Sequence, residues 1–515
     1  MNRKIQILDC TLRDGGRCFG NAWGDGTIID ISTKLVQAEI DIIEIGFLWY
    51  ISDGICRENT TLFNTLDEIS PFLYSGGHYV IYIEYELLKK ENHVIPNNVD
   101  GKIDGIRLGI LKGDLYEAIP TMEDIKNKGY QLFVQFINVL SYSELELKEL
   151  IEVANKVKPD VFAIVDTYGA MYMEDLRKIY CFIDKYLDKE ISIDFHTHNN
   201  IQLSLALAIT FIDISEERDI IIDATLGGIG MGAGNLSTES IIKYLNEQHS
   251  RNYDLAVIVK VLDSYITSIK KKYSWESSLL TYDAASKWGS QINTSYITNG
   301  YAEIPLEKKR LLLGMCPLGV GVGKHTIDQY YRIITKTNEN SKSNLLRLKE
   351  SINTGKILLI AKGPSVADNK NEIEEYIGSN DISLIFLNAS DADNFSHMIV
   401  PKYYFFSNKN SYEKFKGVDS DKTIICLSGL SEDKNIFYVD YNELIGKGNV
   451  ISGNSTIIAL NLLGIICENK EILVAGFDGT DASMKQIDLY RKYIAYLNNN
   501  INISFITQSL YNETL

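Results

Sequence analysis

Eight apolar, β-rich runs recur through the first half of the chain, each followed by a segment able to form an amphipathic helix. The runs are Ile5–Leu12, Ile40–Phe47, Tyr79–Tyr85, Gly105–Ile110, Leu132–Asn138, Val161–Tyr168, Ile191–His198 and Asp219–Leu226. Strands that alternate with helices call for a parallel sheet covered by those helices. An open doubly wound sheet is the rival arrangement. Eight evenly spaced units within about 250 residues favour closure, so residues 1–252 are expected to form an α/β structure of the (β/α)8, or TIM, barrel type. In the seventh run Ser192, Asp194, His196 and His198 share one face and Ile191, Ile193 and Phe195 the other. The apolar face is expected to meet the outer helices and the polar face the barrel interior and mouth.

At 515 residues the chain exceeds one ordinary core. Residues 253–335 shift to helical periodicity with many aromatics, including Trp275, Tyr282, Trp288, Tyr296 and Tyr301, and read as a helical extension. Residues 336–345 are polar and unpatterned and read as a linker. From 346 to 515 a second α/β cadence begins. A buried strand from Lys356 runs into Gly363-Pro364-Ser365, followed by Ile382–Leu387, Ile424–Leu427, an apolar helix Thr456–Cys467 and Glu471–Phe477. This predicts a C-terminal Rossmann-like domain.

A formal charge of -17 argues against nonspecific nucleic-acid binding, which needs an excess of Lys and Arg. The seven cysteines are scattered and form no Cys-x-x-Cys pair, as expected of reduced thiols. The start of the sequence runs into a strand without a signal-peptide core, and no apolar stretch reaches membrane-spanning length. The expectation is a cytoplasmic protein, assembled from identical subunits, with no membrane or nucleic-acid partner.

Two segments carry chemistry: Thr11-Leu12-Arg13-Asp14-Gly15 and His196-Thr197-His198-Asn199. Each ends an apolar run, so both are expected on one rim of the barrel. A strand alternates its side chains, so His196 and His198 point the same way and can grip one ion together. One carboxylate and two imidazoles with positions left open suit a catalytic Mg2+, Mn2+ or Zn2+ better than a closed structural site.

These segments, with Gly230-Met-Gly-Ala-Gly-Asn235, resemble the signatures of the metal-dependent aldolase and lyase superfamily, in the same order along the chain. That group includes 4-hydroxy-2-oxovalerate aldolase, hydroxymethylglutaryl-CoA lyase and the isopropylmalate and homocitrate synthases. The opening Leu8–Gly16 resembles aldolase-type proteins associated with bacterial surface-polysaccharide gene sets. The resemblance implies Asp14, His196 and His198 as metal ligands, Asn235 as a further ligand, Arg13 as the group that stabilises an enolate, and Thr167 as a contact to the substrate acid. It also implies a 2-oxo acid substrate together with an aldehyde or ketone. The sequence departs from the pattern in two places. No histidine follows the Arg-Asp pair, leaving the base unassigned; Glu44 is a candidate base or relay, or else a buried partner of Arg13 or Arg107. Nor do Gly227-Gly228-Ile229 include the cysteine of the hydroxymethylglutaryl-CoA lyases, which disfavours that activity. Arg107 is a further candidate to hold a substrate carboxylate.

Gly230-x-Gly232-x-Gly234 has the wrong third step for a dinucleotide loop, and Gly319–Thr326 fails the Walker pattern. In the C-terminal domain, Gly363-Pro364-Ser365, Ser452–Ser455 and Ala475–Gly479 resemble a Rossmann-like family of 6-hydroxymethylpterin pyrophosphokinase-like and motility-accessory proteins. The resemblance implies nucleotide or nucleotide-sugar binding at Gly363, Ser365, Ser452, Asn454 and Asp478; the alternative is turns that the fold itself requires. The leading expectation is a metal-dependent aldolase acting through pyruvate enolate on a sugar-derived acceptor. The alternatives are an acyl-CoA-dependent 2-oxo acid synthase and a noncatalytic binding or scaffolding protein.

Overall fold

A computed structural model describes residues 3–49, 59–98, 101–273, 275–286, 293–294, 297, 300–301, 303–317, 322–415, 422–433, 435–445, 452–467, 469–480, 484–499 and 501–512. The chain divides into two compact units, Met1–Ser286 and Lys287–Leu515.

In the first unit, β1 (Ile5–Asp9), β2 (Ile42–Leu48), β4 (Tyr79–Glu84), β5 (Gly105–Ile110), β6 (Gln131–Phe136), β7 (Val161–Asp166), β8 (Ser192–Thr197) and β9 (Ile220–Ala224) form a parallel sheet that closes on itself. Closure comes from β1, which pairs with both β9 and β2. A two-residue strand, β3 (Leu62–Phe63), extends the edge of β2. The strands are short and rich in β-branched and aromatic residues, which suits a pleated surface buried on both faces. The seventh barrel strand is β8, and its outward Phe195 meets Phe211 of helix Ser204–Ile214 with ring centroids 5.2 Å apart. A helix on the outer layer, Glu144–Val157, starts with a reciprocal cap between Ser143 and Glu146.

Inside the barrel the layers differ in polarity. Leu8, Ile42, Val80, Phe133, Val161 and Ile221 fill the floor as one apolar cluster. Two residues further along their strands the inward side chains are Glu44, Tyr82, Gln135, Asp194 in its own register, and Asp223, all buried. The apolar floor holds the strands together, and the polar layer lies towards their carboxyl ends, where barrel enzymes place their chemistry.

The second unit carries a seven-stranded parallel sheet of β10 (Lys356–Ile360), β11 (Ile382–Leu387), β12 (Lys402–Phe406), β13 (Thr423–Leu427), β14 (Phe437–Val439), β15 (Glu471–Ala475) and β16 (Asn502–Phe505). The spatial order β14-β13-β12-β11-β10-β15-β16 reverses direction between β10 and β15, as in doubly wound folds. Helix Ser455–Ile466 is apolar almost all round and buries Ile457, Leu460, Leu463 and Ile466, the behaviour of a helix enclosed on several sides.

Two expected boundaries differ from the structure. Helices over 255–273 and 279–286 group with the barrel, and residues from 287 onward with the second unit, so the division falls inside the stretch read as one extension. Trp288, Tyr296 and residues 318–321 lie outside the described residues. The second half of the expected linker is the start of helix Ser341–Ser351. Its Leu345 and Leu348 are buried, Asn344 donates to the Tyr438 carbonyl and the Ser341 hydroxyl accepts from Asp440 N–H. Its serines and lysine read as polar chain, while its apolar stripe only begins at the segment's end. No helix among the described residues is long and apolar enough to cross a membrane.

Candidate metal centre

The chain leaves β1 at Asp9 and winds across the barrel mouth, with the Arg13, Asp14 and Gly15 N–H groups all turned to the Cys10 carbonyl. This turn buries Arg13 and Asp14 against the barrel interior. From the far side of the mouth, β8 delivers His196 and His198. One ligand atom from each of Asp14, His196 and His198 lies within 4.8 Å of the others, which is the span needed to surround one ion.

Asn235 reaches the same place by a different route. Its backbone bridges that of His198, and its side-chain nitrogen donates to Asp14 Oδ2 at 2.8 Å. The glycines before it make this possible: Gly234 has φ +78°, and a Cβ there would collide with the Gly228 carbonyl. The dense glycine pattern is thus a close-approach loop.

Whether these residues suit a dication can be judged from unspent atoms and from charge. His198 Nδ1 and Asn235 Oδ1 are buried without a hydrogen-bond partner among the described residues, a costly arrangement that an ion would relieve. The buried guanidinium groups of Arg13 and Arg107 face the carboxylates of Asp14, Glu44 and Asp223. Burial, reinforced by Asp223, holds the Asp194 carboxyl well above its ordinary range. Burial alone would raise the Asp14 carboxyl, but the Arg13 guanidinium holds it well below the usual range. Burial lowers His198 to about 4, so its ring is neutral and able to ligate near pH 7. The residues fit a divalent cation.

His196 Nδ1–H donates to Asp223 Oδ2 at 2.8 Å, which leaves Nε2 for the ion. Burial would raise Asp223, yet Arg107 and His196 bring it down to about 2. Cys10, His196 and Asp223 also converge within 4.8 Å. There Arg107 already sits 2.5 Å from Asp223 Oδ2, so a guanidinium rather than a metal balances that group.

The other expected residues have defined places. Arg13 spans Asp14 Oδ1 and Glu44 Oε2, each at 2.6 Å, and lies over the Tyr82 ring at 4.6 Å. Gly109 leaves room for that ring, since a Cβ there would strike the Tyr82 hydroxyl. Glu44 is fully enclosed, with Oε2 shared between Arg13 and Arg107, so the geometry gives it a positioning part and not the exposed stance of a base. Arg107 is equally enclosed, and its ion pairs among the described residues are to Glu44, Asp194 and Asp223, which corrects its expected contact with a substrate acid. The Thr167 hydroxyl oxygen accepts from Asn138 N–H at 2.8 Å, and its hydrogen remains to be donated. Arg17, which the sequence reading passed over, lies 3.7 Å from Asp14, pairs with Glu84 at 2.8 Å and faces the Phe47 ring. Its signal was its place three residues beyond Asp14.

In the second unit, a cavity of about 410 Å3 sits where the strand order reverses, lined by Gly363, Ser452, Asn454 and Asp478 together with Lys362 and Tyr490. Several expected binding groups are spent within the fold. Ser365 donates its N–H and hydroxyl to Asp478, and Asn454 Oδ1 caps its own helix by accepting from Thr456 and Ile457 N–H. Ser452 Oγ accepts from Asn454 N–H.

Residues 115–264 match the model of the HMGL-like family. That stretch contains His196, His198 and Asn235. An oxaloacetate decarboxylase of Mycobacterium tuberculosis is 24% identical over 255 residues, covering 48% of this chain and 71% of that protein. A 4-hydroxy-2-oxovalerate aldolase of Pelotomaculum thermopropionicum is 23% identical over 270 residues, 51% of this chain and 75% of the other. A 2-isopropylmalate synthase of Sulfolobus acidocaldarius is 26% identical over 274 residues, 50% and 65% of the two chains.

Proposed function

We propose a reaction from one premise: the N-terminal half of the chain belongs to the metal-dependent aldolase and lyase superfamily, whose members include aldolases and 2-oxo acid synthases. The barrel makes or breaks a carbon–carbon bond next to a 2-oxo acid. The observation that carries this reading is the convergence of Asp14, His196 and His198 on one point beside Arg13. Those three side chains, with Asn235, would hold Mg2+, Mn2+ or Zn2+. Lewis acidity towards a keto oxygen is what such an ion supplies when bound.

The chain's own groups do the rest. In the synthetic direction pyruvate gives up a methyl proton to solvent, which also protonates the alkoxide formed on attack, and the resulting enolate oxygen faces the Arg13 guanidinium, whose charge balances it without reorganisation because Glu44 fixes it from behind. The Thr167 hydroxyl donates to the substrate carboxylate. The enolate carbon then attacks an aldehyde or ketone, which we take as sugar-derived from the resemblance of the Leu8–Gly16 opening. The reverse direction releases pyruvate. The similarity to 2-isopropylmalate synthases supports a second reading, in which an acyl-CoA supplies the carbon nucleophile and the oxo acid is the electrophile.

Exchange of pyruvate methyl protons with deuterium, followed by proton NMR with and without Mg2+ or Mn2+, tests the first reading. Metal-dependent exchange is expected. Bound metal without exchange, together with thiol release from acetyl-CoA in the presence of a 2-oxo acid, would replace it with the second; bound metal with neither would leave a noncatalytic binding protein.

For the second unit we propose a nucleotide or nucleotide-sugar ligand at the cavity between the ends of β10 and β15. What supports it is the location, since doubly wound sheets bind ligands at the point where strand order reverses. Calorimetric titration of the full-length protein with nucleoside mono- and diphosphates and their sugars should give saturable heat. A flat response across that set would reject the assignment.

A further inference from the structure

We propose that Arg107 is a positioning residue that ties the ion-facing His196 to the enolate-facing Arg13. The inference rests on the metal-site reading above and adds a device to it. The guanidinium lies in the centre of the barrel with no exposure. Its Nη2 donates to Asp223 Oδ2 at 2.5 Å and to Asp194 Oδ2 at 2.8 Å, and its Nη1 lies 3.1 Å from Glu44 Oε2 as an ion pair without hydrogen-bond geometry.

Two of those oxygens are shared. Asp223 Oδ2 also meets His196 Nδ1 at 2.8 Å, and Glu44 Oε2 also meets Arg13 Nε at 2.6 Å. Each carboxylate oxygen is therefore a hinge between Arg107 and one residue of the mouth. A planar guanidinium holds its terminal nitrogens in one rigid plane, so Asp223 Oδ2, held by a hydrogen bond, and Glu44 Oε2, held by charge alone, are fixed in position relative to each other. The His196 ring angle and the Arg13 position consequently depend on one buried group that touches neither ion nor substrate. A lysine there keeps the charge but is a point donor on a flexible stem, and cannot fix both positions.

The test compares full-length wild type with Arg107→Lys, Asp223→Asn and His198→Ala. Mn2+ affinity is read from the free-ion EPR signal, and melting temperature is read without metal. The EPR line shape of bound Mn2+ reports the symmetry of the site. Arg107→Lys is expected to raise the Mn2+ dissociation constant by about tenfold or more, as loss of a group that orients a ligating histidine does, and to alter the bound-ion line shape. Asp223→Asn is expected to do the same. A protein carrying both Arg107→Lys and Asp223→Asn is expected to be no worse than the weaker-binding single variant, because both changes break one connection. A folded Arg107→Lys protein with a lower melting temperature but wild-type Mn2+ affinity and line shape would overturn the proposal, since that is what a merely structural arginine gives.

If Arg107→Lys fails to fold, Asp223→Asn decides: unchanged Mn2+ affinity there overturns the proposal, and a tenfold loss upholds the His196 arm on which it depends. Failure of the site reading is distinct. In that case His198→Ala binds Mn2+ as wild type does, or wild type does not bind it, and both readings fall together.

Discussion

Asp14, His196 and His198 occupy positions that the sequence marks out by type and spacing, because a His-x-His pair on a strand has only one geometric consequence. The groups that orient them were harder to read. Asp223 is one carboxylate in a run of isoleucines, and nothing in its neighbours says that it faces His196; only the parallel pairing of β8 with β9 sets that register. Glu44 was open between two parts until its oxygen was found between two guanidinium groups. Replacing Arg13 by Ala should lower turnover by roughly 10²–10³-fold, the scale for losing one preorganised charge-stabilising donor, while leaving Mn2+ bound. Near-normal turnover in steady-state assays would remove Arg13 from the chemistry. A second expectation concerns Asp9, buried and bonded to Thr11 N–H and the Thr238 hydroxyl. Burial outweighs those bonds and pushes its carboxyl up to about 6 from 3.8. As pH rises through that window the unfolded chain releases the proton while the native state keeps it. Stability therefore falls, and the loss is complete above it. Asp9→Asn should accordingly exceed wild type in stability above pH 6 by up to about 3 kcal/mol, with the gain fading by pH 4. Urea denaturation at both pH values checks this, and a pH-independent difference would contradict it.

The elements show where a sequence speaks plainly and where it does not. Some strand runs are legible to the residue, since Gly105–Ile110 and Ile382–Leu387 coincide with β5 and β11, whereas β12, β14 and β16 carry no pattern from which the sequence reading predicts them. The segment after β1 was read as strand to Leu12, but three N–H groups drawn to the Cys10 carbonyl end it at Asp9 and turn Arg13 and Asp14 inward. Polar helices were the least legible, as Ser341–Ser351 illustrates. The glycine loop that presents Asn235 is the element most sensitive to change. Gly234→Ala forces a side chain into a left-handed backbone and against the Gly228 carbonyl, and should cost about 1–3 kcal/mol or more. It should also weaken Mn2+ binding, because Asn235 and the His198 backbone are paired. Thermal denaturation and Mn2+ titration of this variant check both effects; stability loss with unchanged Mn2+ affinity would show that the loop is packing alone.

At the scale of the molecule, each unit has its own closed or open sheet and its own apolar core. A ligand that binds only the native barrel should stabilise that unit alone, by about 2.7 kcal/mol when present at 100 times its dissociation constant. Differential scanning calorimetry with saturating Mn2+ is therefore expected to show two resolvable transitions, one of which moves. A single transition shifted as a whole would show that the two cores unfold together.

Three side chains sharing one ion are the foundation of the proposed chemistry. Anomalous diffraction from Mn2+-soaked crystals, collected near the manganese edge, reads this directly. One strong peak is expected at bonding distance from Asp14, His196 and His198 together, and absent from His198→Ala crystals. A peak elsewhere, or none at saturating Mn2+, would contradict it.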